Sequence, residues 1–133
     1  MNRTIQRLNK INSLQKFEIE APNVNVLGYH TRHFDVCPMA QELFKHLISM
    51  PLDEETKGMV RSAAQAADNI FRLESEVVSA GVATQHQYEE AALLKDDFED
   101  IMNQVDLAVG MVHDVSFMDN HIEIIKGFLN GNQ

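Results

Sequence analysis

Cysteine is almost missing from this chain: Cys37 stands alone among 133 residues. One thiol cannot close an intramolecular disulfide, so a reducing compartment, the cytoplasm, is the expected location. No run of 18 apolar residues occurs, so neither a helical membrane span nor a membrane partner is expected. No basic segment leads into an apolar core of the kind that marks a secretory signal. Positive charge is scarce, with 11 Lys and Arg against 20 Asp and Glu and a net charge of −9. That balance argues against a nucleic-acid partner, which needs clustered cations to meet phosphate. Catalytic signatures are lacking too: there is no phosphate loop, dinucleotide fingerprint, nucleophile elbow or HExxH. The acidic run Asp96, Asp97, Glu99, Asp100 lacks the alternating oxygens and turn glycine of a calcium loop.

What remains is an ordinary single-domain composition, 44% hydrophobic and 23% charged. Its charge is uneven. Arg3, Arg7, Lys10 and Lys16 put +4 on an acid-free opening, so the −9 of the whole chain leaves −13 for the remainder. The opening shares its lack of acids with transit peptides, but its apolar spacing is poor for one.

An N-terminal arm over 1–34 is expected, with a helix over 4–16 and an extended segment over 17–34. Ile5, Leu8, Ile11 and Leu14 repeat every three residues and so drift round a helix. Phe17, Ile19 and Ala21 alternate with acids until Pro22, and a small hairpin of 17–20 with 24–27 is one option. The bundle proper occupies 35–133. A helix over 36–50 has Asp35 as its N-cap, Pro38 in its first turn and Pro51 as its stop. Asp53, Glu54 and Glu55 open a helix over 53–80 that ends at Gly81. It carries two adjacent seams, Met59–Ala63–Ala66–Ile70–Leu73–Val77 and Val60–Ala64–Ala67–Phe71–Glu74–Val78, the mark of a helix buried on a broad face. Thr84 and Gln87 form a capping box for a helix over 84–115, whose seam runs from Ala91 to Val115. A fourth helix is expected over 117–130, capped by Ser116 with Asp119 and stopped at Gly131. No proline forbids one continuous helix over 84–130 instead. The fold class is therefore all-α: a four-helix bundle built on a long antiparallel hairpin. The alanine-rich second helix offers more apolar surface than two short helices easily cover, which predicts a homodimer.

Candidate chemistry concentrates in Gly28–His46, which holds His30, His33, Cys37 and His46. Two uses suit these residue types. As metal ligands, His30, His33, Cys37 and His46 would join Glu74, His113 or His121 around zinc or iron. As a thiol centre, Cys37 would be the nucleophile in a helix's first turn, with His33 as base and Asp35 as its orienter. Glu74, His113 and His121 interrupt apolar seams, and a buried Glu–His hydrogen bond that fixes helix register accounts for them as readily as a metal does. Asp106 and His113 would stand about 10 Å apart along one helix, too far to share an ion. Inward histidines and carboxylates in a four-helix bundle resemble ferritin-like and haemerythrin-like proteins in architecture, but the Glu-x-x-His pattern on two helices is absent. Three functional readings follow: a non-enzymatic helical module that binds a protein or small molecule, a metal-binding bundle, and a thiol-dependent enzyme. If the Gly28–His46 junction is functional, its partners come from Glu74, His113 or His121.

Overall fold

The computed structural model describes residues 24–129. The expected helix over 4–16, the strand option over 17–20 and the stop at Gly131 lie outside them. Two strands come first, β1 (Val24–Val26) and β2 (Tyr29–Thr31), followed by a 3-10 turn (His33–Val36). Four helices follow: α1 (Pro38–Ile48), α2 (Glu54–Ala80), α3 (Gln85–Val109) and α4 (Phe117–Gly127). The fold is all-α, with α2 and α3 packed along each other as the central hairpin.

Residues 24–34 are not a plain extended arm. Val24 pairs with Thr31 and Val26 with Tyr29 in an antiparallel hairpin. Leu27 and Gly28 form its two-residue turn, both at positive φ (53° and 95°), as a type I′ turn requires. Leucine seldom takes that conformation, so the residue type does not signal the turn. Arg61 Nε donates to the Leu27 carbonyl at 2.8 Å and ties the turn to α2. Val24, Val26 and Phe34 are buried and belong to the core.

The long helices begin where their caps dictate. Asp53 accepts the Thr56 N–H at the start of α2, and Gly81, at φ 75°, ends it. Thr84 and Gln87 make the reciprocal capping box that opens α3. Boundaries and caps differ from expectation in several places, among them the ends of α1 at Ile48 and of α4 at Gly127, short of the expected 50 and 130. Helix α1 starts at Pro38 with Cys37 in the cap position, because Asp35 lies in the preceding 3-10 turn. Ser116 precedes α4 but makes no side-chain capping bond. Helix α3 stops at Val109 instead of 115, because Gly110 turns left-handed at φ 72°. A separate α4 follows, so the single helix over 84–130 does not form.

In the core, Phe34 stacks on Phe44 at 5.0 Å between ring centres and meets Phe71 edge-on at 5.8 Å. Phe44 reaches Phe98 of α3 at 6.5 Å. One aromatic chain thus joins the 3-10 turn, α1, α2 and α3. Ala63, Ala64, Ala66 and Ala67 are buried within the single chain. The alanine stripe therefore does not itself call for a second copy.

Candidate functional site

Three polar clusters are set into this frame. The first lies at the N-terminal end of α1. The 3-10 turn delivers Cys37 to the start of the helix, where it faces α2 and α4. His121, on α4, places Nε2 3.4 Å from Cys37 Sγ. Its other nitrogen, Nδ1, is 2.6 Å from Glu74 Oε1 on α2. The ring of Phe71 packs edge-on against His121 at 4.7 Å and fixes its plane. Sulfur, imidazole and carboxylate thus stand in a row on three elements. Burial works against a charged His121 and is the largest single influence on it, but the hydrogen bonds to Cys37 and Glu74 outweigh it. The pKa of His121 is pushed up from 6.5 to about 9. At neutral pH the ring is then an imidazolium that donates to both neighbours.

A groove of about 330 Å³ opens over this row, walled by Val36, Phe71, Ser75, Val78 and Ser79. Val36 and Val78 expose much of their surface along it. Cys37 itself is only 4% exposed, so its sulfur is reached through the groove wall and not from open surface.

The second cluster anchors the hairpin. Tyr29 and Thr31 lie two apart on β2 and so face the same side, and the 3-10 turn that begins at His33 brings its ring to the same acid. All three meet Asp68 of α2: the Tyr29 hydroxyl at 2.8 Å, the Thr31 hydroxyl at closer range, and His33 Nδ1 at 3.0 Å. Burial opposes the charge on Asp68, yet these donors hold its carboxyl below the usual carboxylate range. Burial first, and then the hydrogen bond to Asp68, push Tyr29 up to about 12, so it remains a donor. This cluster is a structural clasp whose carboxylate accepts from three donors.

The third cluster is at the opposite end of α1. Because the chain turns at Gly110, His113 folds back onto α3. His113 Nδ1 lies 2.6 Å from Asp106 Oδ1, and its backbone N–H reaches Asp106 Oδ2 at 3.3 Å. The 10 Å separation expected along one helix is replaced by direct contact. The ring of His46, from the last turn of α1, stands beside His113 with ring centres 5.5 Å apart.

The sequence-derived candidates are therefore split. Cys37, Glu74 and His121 come together. The nitrogen at the sulfur belongs to His121 and not to His33, which Asp68 holds instead, and the carboxylate that orients that ring is Glu74 and not Asp35. His46 and His113 form a separate pair. His30 points outward on β2 and joins neither group. Among the described residues, no three or more His, Cys, Asp or Glu side chains gather as a metal-holding group. Asp68 was missed, although the row Tyr29-x-Thr31-x-His33 and a lone acid beside the alanine seams were both visible in the sequence. No protein-family model matches this chain, and no curated protein or solved structure is significantly similar to it.

Proposed function

We propose that the protein carries a thiol-dependent site in which Cys37 is the nucleophile, His121 the proton donor and acceptor, and Glu74 the group that orients His121. The observation that carries this reading is the Cys37–His121–Glu74 row, with spacings of 3.4 and 2.6 Å, on the wall of a groove. A protonated imidazole offsets negative charge on an adjacent sulfur, and the thiolate is the reactive form of cysteine. Attack by Sγ on an electrophilic carbon or sulfur in the groove would let His121 pass its Nε2 proton to the leaving group. The valines on the rim suit a substrate with an apolar portion, and the Ser75 and Ser79 hydroxyls can meet a polar one.

Cys37 is the only thiol, so its labelling reports on the site alone. Iodoacetamide should label the native protein at pH 7 at least about tenfold faster than the His121→Gln variant, in keeping with the usual worth of a positioned acid–base group. Equal rates in the two proteins, or labelling only after unfolding, would remove the proposal.

A second reading, a non-enzymatic binding module, is favoured by a different observation. Leu107 and Val112 are 85% and 88% exposed beside a cleft of about 480 Å³ that Met111 and Asn103 also line. Apolar side chains so fully presented to water are common at protein interaction sites.

A further inference from the structure

The third cluster contains an atom that the described residues leave unsatisfied. His113 has a side chain only 7% exposed, and its Nδ1 is committed to Asp106. Its remaining ring nitrogen, Nε2, is buried without a hydrogen-bond partner among the described residues. A buried polar atom in that state costs about 1–3 kcal/mol unless a further group meets it. The neighbouring ring belongs to His46, on a different helix, with ring centres 5.5 Å apart and planes inclined by 57°.

We infer that His113 Nε2 and the His46 ring form a two-histidine site for a divalent transition ion of the zinc type. Three features favour a metal over a trapped water. First, Zn–N bonds of about 2.0–2.1 Å at a tetrahedral angle put the centres of two ligating imidazoles roughly 5 Å apart, close to the spacing seen here. Second, a metal-ligating histidine characteristically donates its other ring N–H to a carboxylate, which fixes the tautomer. Asp106 does this for His113, and its second oxygen is itself tied to the His113 backbone. Third, imidazole nitrogen suits zinc, copper and nickel better than calcium or magnesium, and the chain's net charge of −9 attracts cations in general. With two protein ligands, the other coordination positions are left to water or to an incoming ligand on the exposed His46 side. The site shares no residue with the Cys37–His121–Glu74 row and does not depend on the function proposed for it.

The test is a calorimetric titration of tag-free, metal-stripped protein with zinc chloride, run beside His46→Gln, His113→Gln and Cys37→Ser. One ion per chain is expected, with affinity at least about tenfold weaker in either histidine variant and unchanged in Cys37→Ser. His46 is exposed, so His46→Gln keeps the fold and remains informative even if His113→Gln does not. NMR of the imidazole C–H groups should show the His46 and His113 signals moving together as zinc is added. No binding at 0.1 mM zinc (about tenfold above a 10 µM Kd) overturns the inference. So does full affinity in His46→Gln, or binding that disappears in Cys37→Ser.

Discussion

Helix α1 has a carboxylate–histidine pair at each end, and the two pairs differ in one respect. Both hold Nδ1 at 2.6 Å from a carboxylate oxygen. At the Cys37 end, the second ring nitrogen of His121 meets sulfur. At the His46 end, the second ring nitrogen of His113 is buried and meets no hydrogen-bond partner among the described residues. The same local chemistry therefore has two outcomes. Where the ring lies between two acceptors, it is stabilised as a cation and the network is closed. Where it has one acceptor, the second nitrogen is left over for a further partner. The carboxylate decides which nitrogen is free, and the neighbouring element decides what that nitrogen can do.

The largest effect should come from removing one carboxylate at a time. Glu74→Ala leaves the largely buried His121 cation without its counter-charge, and breaking such a pair typically costs about 3–5 kcal/mol. Asp106→Ala removes an acceptor that already serves a half-open cluster, and about 1–2 kcal/mol is expected. Urea unfolding at pH 7 measures both. Equal losses would mean that the two ends of α1 are not electrostatically distinct.

The pH dependence separates them next. His121 has its folded-state pKa raised from 6.5 to about 9. Its contribution is therefore complete below about 6.5 and is lost as pH rises through 9, with a ceiling of about 3 kcal/mol at 1.36 kcal/mol per unit. Stability should fall between pH 7 and 9.5 in the native protein and stay flatter in His121→Gln. Asp68 provides the opposite limb. Its depressed pKa contributes stability above the ordinary carboxylate range, and that contribution disappears as pH falls below it. Asp68→Asn should cost about 1.5–3 kcal/mol at pH 7, the worth of hydrogen bonds to a charged group, and should flatten the acid limb. An acid limb unchanged in Asp68→Asn would place the acid sensitivity elsewhere.

These differences also explain how much could be read from the chain. The periodic apolar positions of α2, its acidic start at Asp53 to Glu55, the stop at Gly81, and the Thr84–Gln87 box depend on residues within a few positions of each other, and all were legible. Glu74 and His121 could be recognised as intruders in apolar seams, but not as partners, because 47 residues separate them. Pairing depends on how α2 and α4 cross, and no local spacing encodes that. Closeness in sequence pairs His33 with Cys37, whereas the 3-10 turn that begins at His33, just after β2, sets its ring against Asp68. The hairpin was hidden because its turn puts leucine at positive φ.

Gly110 is the sharpest case. The seam Ala91–Leu94–Phe98–Ile101–Val105 continues in the sequence through Ala108, Val112 and Val115, yet Val112 is 88% exposed because the helix has already ended. A glycine within a regular repeat can be carried along in a helix or can stop it, and here its left-handed conformation at φ 72° stops it. Gly110→Ala sets the two tendencies against each other. No atom obstructs a Cβ at this position, so the cost is conformational, about 1 kcal/mol if the turn is kept. The alternative is for α3 to grow through 111–115, as the repeat invites, which would carry His113 about 10 Å along the axis from Asp106. Amide exchange across 111–115 distinguishes a strained turn, with unprotected amides, from a lengthened helix, with protected ones. In either case the variant acts on one end of α1 only: a lengthened helix should weaken zinc affinity and a kept turn should preserve it, while the Cys37 alkylation rate stays within about twofold of the native value, since sites this far apart with no shared partner behave independently.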